Sequence, residues 1–284
     1  MKKNWIKLTL PKKLYFFLRD LKKIFREALF PSYAPRFRGW YGMILYTNPP
    51  WKGNKKNKES IEKKFISTEK KILNLIKENK FCLSQFENKD ASNVLKELAW
   101  RHYIVYWSSC YSTQMTKSTQ KNFIEAGVAD GLTIFFALSA AKENDNIFKA
   151  YLYDTWGEVE LINPSFKKNT TSFEYLSLEV TKKNLSFFEK DIFFKQGLIP
   201  NTFNGENEPE TVTWLHIDLN SSSPTLDTLN YFWEKIDKGG IILLDDYAQP
   251  AYVDTKETVD KWLIDKKDSN FIQMPTSQGI IFKT

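Results

Sequence analysis

Phe123-Ile124-Glu125-Ala126-Gly127-Val128-Ala129-Asp130-Gly131-Leu132-Thr133 is an apolar run that ends in Glu-x-Gly-x-x-x-Gly and leads into a helical pattern. It predicts a strand over Asn122–Gly127, a turn, and a helix over Leu132–Lys142. Gly127 and Gly131 would let the backbone approach a ligand closely, and the free N–H groups at a helix start suit a carboxylate or phosphate. Taken alone this is a weak signal, because many strand-to-helix turns carry glycine for packing. The next predicted strand, Ala150–Asp154, strengthens it: Asp154 follows Gly131 by 23 residues, about the separation at which a carboxylate takes a ribose hydroxyl pair. Together the two strands favour a nucleoside-containing cofactor.

The loop lacks the Gly-x-Gly-x-x-Gly triplet that dinucleotide pyrophosphates require, and it carries Glu125 and Asp130 instead. Two acids beside a pyrophosphate repel it. They suit a sulfonium and an ammonium group, which S-adenosylmethionine has. Working outward, short apolar runs at Asn184–Phe188, Val212–Asp218 and Gly240–Asp245 alternate with helical stretches at Thr171–Lys183, Thr225–Ile236 and Thr255–Lys266. The pattern predicts a doubly wound, Rossmann-like α/β sheet. Phe271–Met274 and Gly279–Lys283 are close enough to close it with an antiparallel hairpin. Asp191, placed just after the third predicted strand, is a candidate for the adenine edge, with a solvated surface acid as the alternative.

The fourth and fifth runs end in acids: Trp214-Leu215-His216-Ile217-Asp218-Leu219-Asn220 and Ile242-Leu243-Leu244-Asp245-Asp246-Tyr247. Ligands of open α/β sheets bind at the carboxyl ends of the strands, so Asp218, Asp245 and Asp246 are expected to converge there. Three carboxylates together repel unless a cation joins them, and an all-oxygen set indicates a hard divalent ion, Mg²⁺ first, with Ca²⁺ or Mn²⁺ as alternatives. The competing reading is that one Asp caps the following helix and the others are solvated. His216, two residues before Asp218, shares its side of the strand and is a candidate to touch cofactor or orient a ligand. His102, on an aromatic helical stretch, reads as a core or interface residue. Without it no Ser-His-Asp set can be assembled, which excludes hydrolase readings of that kind.

The chain has 284 residues, 42% of them apolar and 15% aromatic, which excludes intrinsic disorder. Its two cysteines, Cys82 and Cys110, have no zinc spacing and make no disulfide framework. No apolar run reaches signal-peptide or membrane-spanning length, so a cytoplasmic protein is expected. The net charge of +7 is uneven: residues 1–100 carry 23 Lys/Arg against 9 Asp/Glu, and residues 101–284 carry 18 against 25. Residues 1–95 accordingly read as a basic, mainly helical N-terminal region for acceptor recognition or oligomerisation, and 96–284 as the cofactor domain. Within the first, Lys12–Leu29 reads as a basic amphipathic helix, Ser60–Lys80 and Ala91–Trp107 as further helices, and 30–54 as an irregular connector. The basic helix suits an anionic membrane surface or a partner, a homodimer among them, though such faces are often simply solvated or docked on their own core.

On these residues, about 95–284 resembles the class I S-adenosylmethionine-dependent methyltransferases, in particular the macrocin O-methyltransferase-like (TylF-type) group that methylates sugar hydroxyls. The matching segments are 123–133, Tyr151–Gly157, Leu215–Asn220, Gly239–Tyr247 and Met274–Lys283. The resemblance implies Asp218, Asp245 and Asp246 as metal ligands, Glu125 and Asp154 as cofactor acids, Asp218 and Asp245 as catalytic residues, and a saccharide or glycosylated small molecule as acceptor. One departure concerns catalysis: where better-known members carry a second aspartate, taken as general base, this chain has Asn220, which cannot accept a proton. Either another acid or a water takes that proton, the metal suffices, or activity is altered. Two rival readings stand beside this one. Asn48-Pro49-Pro50-Trp51 resembles the element of DNA adenine N6-methyltransferases, although the fourth strand already supplies that position with its own sequence. A scaffold that binds the cofactor without turnover is supported only by Asn220.

Overall fold

The computed structural model describes Leu21 and residues 61–85, 88–144, 146–157, 175–205 and 207–284. The basic stretch Lys12–Leu29, apart from Leu21, the connector 30–54 with Asn48-Pro49-Pro50-Trp51, and the first part of Thr171–Lys183 lie outside the described residues. The chain divides into compact units 1–39 and 40–284, and the second is the one described below.

Three helices, α1 (Ile61–Lys77), α2 (Asn88–Glu97) and α3 (Ala99–Met115), precede β1 (Gln120–Ala126), α4 (Leu132–Glu143), β2 (Ile147–Asp154), α5 (Leu178–Asn184), β3 (Ile192–Gln196), β4 (Val212–Ile217), α6 (Ser222–Phe232), β5 (Ile236–Leu244), α7 (Val253–Leu263), β6 (Ser269–Gln273) and β7 (Gly279–Lys283). The seven strands lie in the order β3-β2-β1-β4-β5-β7-β6. The first five are parallel, and β7 runs antiparallel to both β5 and β6. This is the doubly wound sheet with a closing hairpin that the sequence predicts. Strand order reverses between β1 and β4, the switch point where such sheets bind ligands.

Consecutive residues of each central strand feed opposite cores, as the two-residue period of a strand dictates. Phe123, Trp214, Leu243 and Ile280 pack under α1, α3 and α4. Ile124, Leu215, Ile242 and Ile281 pack under α6 and α7 with Phe232, Val259 and Trp262. Helix α4 is buried from Leu132 to Ala141 because α1 and α3 cover its outer side: Phe65 stacks on Phe136 at 5.3 Å and His102 on Phe136 at 4.7 Å.

Helices α1 and α2 bury Phe65, Ile72, Ile76 and Leu95 in the same core as the sheet. An amphipathic helix needs a partner for its apolar face, and here the partner is α4. The strand expected at Asn184–Phe188 is instead the end of α5 and a 3₁₀ turn over Ser186–Asp191, with β3 starting at Ile192. A short apolar run does not distinguish strand from helix by period alone. Here Phe188 turns inward onto Phe135 and Phe148.

Candidate active site

The loop after β1 is shaped by its neighbours. Gly127 and Gly131 take φ of 85° and 81°, and Ala129 takes 47°. A Cβ on Gly127 would lie 1.9 Å from the carbonyl oxygen of Asp218, and one on Gly131 would lie 3.0 Å from Leu185. The glycines thus admit β4 backbone and the α5 end, and the close approach expected for a ligand is made in the first place by the protein itself. The Asp154 carboxylate accepts from the amides of Val128 (2.6 Å), Ala129 (2.8 Å) and Trp156 (2.9 Å). Thr155 Oγ1 donates to the same carboxylate at 3.5 Å, so its roughly four lone-pair sites are engaged within the protein and these bonds fix the loop. Trp156 Nε1 donates to the Ala129 carbonyl and to Thr181 Oγ1, which holds the loop from its outer side.

Asp130 turns away from the loop's open side. It accepts from Ser84 N at 2.7 Å and Ser84 Oγ at 2.6 Å, while burial raises its pKa against those bonds. Asn184 ties the same segment down by bonding both backbone groups of Cys82 and the Asp130 carbonyl, each at 2.8 Å. Asp191 does not join the site: it precedes β3, whose carboxyl end at Gln196 is the one that pairs with Asp154. Five residues of strand, roughly 16 Å, separate the two ends. The misplaced strand accounts for the misplaced acid.

Asp218, Asp245 and Asp246 do converge, each offering an oxygen within 4.8 Å of the others. The sheet ladder carries them there, with the Asp218 amide bonded to the Ala126 carbonyl and the Asp245 amide to that of Ile217. Beneath them His216 and Glu125, direct neighbours across β4 and β1, are fully buried and bonded at 2.8 Å. His216 Nε2 lies 3.9 Å from Asp245 Oδ1. Burial works against a charge on His216, but Asp245 and Glu125 override it and raise its pKa to about 9. Burial raises the Glu125 pKa, offset in part by His216. His216 and Glu125 therefore form a foundation for Asp245. His102 sits in the core, as expected of it.

Sequence reasoning missed two members. Arg101, in the first turn of α3, donates from Nη2 to Asp218 and pairs through Nε with Asp245 at 2.9 Å. Gln278, fully buried in the β6–β7 turn, donates to Asp245 Oδ1 at 2.9 Å. Neither had a local signal: one is a basic residue on an amphipathic helix, the other a turn glutamine. The resulting field is uneven. Burial opposes ionisation of Asp245, yet Arg101 and His216 bring its pKa down to about 2. Asp246 is pushed up to about 8 by burial and by the charges of Asp218 and Asp245. Its Oδ2 is buried with no partner, as is Glu125 Oε2. A buried carboxyl oxygen left unmatched beside two further carboxylates is what a cation would complete, so the donor set fits a hard divalent ion.

Comparison with known proteins bears on the fold. Residues 124–247 match the model of a methyltransferase domain. The fold is similar to that of the O-methyltransferase NovP, with 14% identity over 79% of this chain and 100% of that one at a TM-score of 0.60. It is also similar to the calicheamicin methyltransferase CalS11, with 18% identity over 81% and 98% at 0.50. The apo structure of CalS11, described as a TDP-rhamnose 3'-O-methyltransferase, aligns at 18% identity over 80% and 96% with a TM-score of 0.46. No curated protein matches the chain. The strand order is the one such a domain would have, so the fold and the match over residues 124–247 point the same way.

Proposed function

We propose that this chain transfers the methyl group of S-adenosylmethionine to a hydroxyl of a saccharide or glycosylated small molecule, with a hard divalent cation, Mg²⁺ first, held by Asp218, Asp245 and Asp246. The observation that carries the reading is the convergence of these carboxylates, one with a buried unmatched oxygen, beside the loop after β1. The sugar class rests on the resemblance of the five sequence segments and on what CalS11 acts on.

In this reading the Gly127–Gly131 loop and Asp154 form the cofactor side. Asp154 would exchange one of its present bonds for a ribose hydroxyl, and Glu125 would offer its unmatched Oε2 toward the ammonium group. A cation held by the three aspartates would supply Lewis acidity that favours loss of the acceptor's hydroxyl proton. Methyl transfer would break the sulfonium C–S bond as the O–C bond forms, with S-adenosylhomocysteine as the leaving group and the hydroxyl proton passing to solvent. Gln278 and His216 hold Asp245 in place for this. Asn220, at φ 52° in the turn after β4, contributes polarity without a proton-accepting group.

The test is calorimetric titration of S-adenosylmethionine and of Mg²⁺ on the wild type and on Asp218→Asn, followed by S-adenosylhomocysteine release with nucleotide-sugar acceptors. Micromolar cofactor binding, with Mg²⁺ binding lost in the variant, supports the reading. Absence of cofactor binding would sink it. Turnover that ignores both chelator and the variant would remove the metal from it.

A further inference from the structure

Arg101 stands where the proposed cation has to bind. Its Nε pairs with Asp245 and its Nη2 with Asp218, so two nitrogens of one guanidinium bridge two of the three aspartates. The arrangement is costly on its own helix. Arg101 occupies the first turn of α3, which has no acid, and the partial positive charge of a helix N-terminus opposes a cation there. The aspartates compensate. Yet Arg101 leaves the cluster incomplete: its own Nε, though 2.9 Å from Asp245, makes no hydrogen bond, and Asp246 Oδ2 and His216 Nε2 are likewise buried without hydrogen-bond partners. The Arg101 side chain is 20% exposed, so it borders solvent and has a direction in which to withdraw.

We propose that Arg101 is a displaceable counter-ion, holding the aspartate cluster in the metal-free enzyme and setting its metal affinity by competing for the oxygens of Asp218 and Asp245. This rests on the metal site proposed above. A guanidinium fork satisfies two carboxylates in one plane, whereas a hard cation gathers three from three directions. The two modes share oxygens and exclude each other. Loading a cation therefore requires breaking both Arg101 pairs, and the free energy of those pairs is subtracted from metal binding. The freed guanidinium would remain beside the site, carrying a positive charge toward solvent where an acceptor approaches.

The experiment measures Mn²⁺ binding by the loss of the free-ion electron paramagnetic resonance signal, on wild type, Arg101→Gln and Arg101→Lys, together with thermal unfolding in chelator and in Mn²⁺. Arg101→Gln is expected to bind Mn²⁺ at least tenfold more tightly than wild type. It should unfold at lower temperature in chelator and regain most of the loss with Mn²⁺. Arg101→Lys, which keeps the charge but loses the fork, should bind with intermediate affinity, and it stands in should Arg101→Gln fail to fold without metal. Equal or weaker Mn²⁺ binding in both variants would overturn the proposal and leave Arg101 a structural ion pair. Binding to no form would overturn it together with the metal site, while S-adenosylmethionine titration on the same samples reports separately on the methyl-donor reading.

Discussion

Two groups of buried acid in this molecule are built to opposite ends. In the loop leading into β4, Glu208, its side chain 2% exposed, is fully matched. It accepts from the Tyr231 hydroxyl, from Lys235 Nζ at 3.1 Å and from the Tyr153 hydroxyl at 3.4 Å. Burial alone would raise its pKa, but those bonds lower it. At the carboxyl edge, Asp218, Asp245 and Asp246 crowd together with one guanidinium among them, and Asp246 keeps an unmatched oxygen and a pKa near 8. The first group spends its charge on the fold. The second withholds part of it, which is what a ligand site requires.

The contrast breaks most visibly through Asp246. Replacement by Asn removes a cation ligand, and methyl transfer should fall by about 10²–10³-fold, the scale seen when a charge-stabilising group is removed. Above about pH 8, where Asp246 is ionised, the unfolding temperature should rise, because the substitution relieves like-charge repulsion, and below it the temperature should hold. Release of S-adenosylhomocysteine and a thermal melt on one sample check both, and a large loss of stability would mean the acid is structural like Glu208.

Gly127 couples the cofactor loop to β4, so its substitution tests whether the site's scaffold is as rigid as drawn. Gly127→Ala places a methyl 1.9 Å from the Asp218 carbonyl and strains a φ of 85°. A loss of about 3–5 kcal/mol is expected from such a clash with strain. Denaturant unfolding checks it, and a loss below about 1 kcal/mol, within the scatter of ordinary substitutions, would show that the β1–β4 contact yields easily.

Glu208→Gln probes the satisfied group and should cost about 1–3 kcal/mol near neutral pH with methyl transfer unchanged. The sign of its pH dependence follows from the lowered pKa. The ionised form is favoured in the fold, so its contribution is fully present above the ordinary value of 4.5 and is lost as pH falls through the lower folded value. The stability difference between wild type and variant should therefore shrink on acidification below that value. A difference that stays flat would show that the Glu208 charge carries none of it.

How much of this was legible in the sequence depended on whether the signal was local. Short apolar runs such as Val212–Ile217, and the Glu-x-Gly-x-x-x-Gly turn, declare their element within a few residues, so the doubly wound sheet and the hairpin followed. The three aspartates were legible because strand ends must meet at one edge. Arg101 was not, because nothing in its neighbours says which way the first turn of α3 faces. The run at Asn184–Phe188 misled because its apolar residues serve a helix end and a 3₁₀ turn, where Asn184 holds Cys82 and Asp130 across 102 and 54 residues of chain. Such long-range bonds leave no periodic trace. The same holds for Asp130 and Asp154, whose types suit a cofactor while their present bonds serve the loop.

The smallest effect is the most discriminating for the chemistry. Asn220 lies in the left-handed region at φ 52°, which Asn and Asp both tolerate, so Asn220→Asp should change stability by no more than ~0.5 kcal/mol. It adds a carboxylate two residues past Asp218, which Arg101 pairs with. If proton removal limits the wild type, the variant should gain up to about tenfold in rate near neutral pH, with a new acid limb as that carboxylate titrates. An unchanged profile would mean that the acceptor's proton leaves to solvent without a side-chain base, and that Asn220 marks a site whose acidity comes entirely from the aspartate cluster and what it binds.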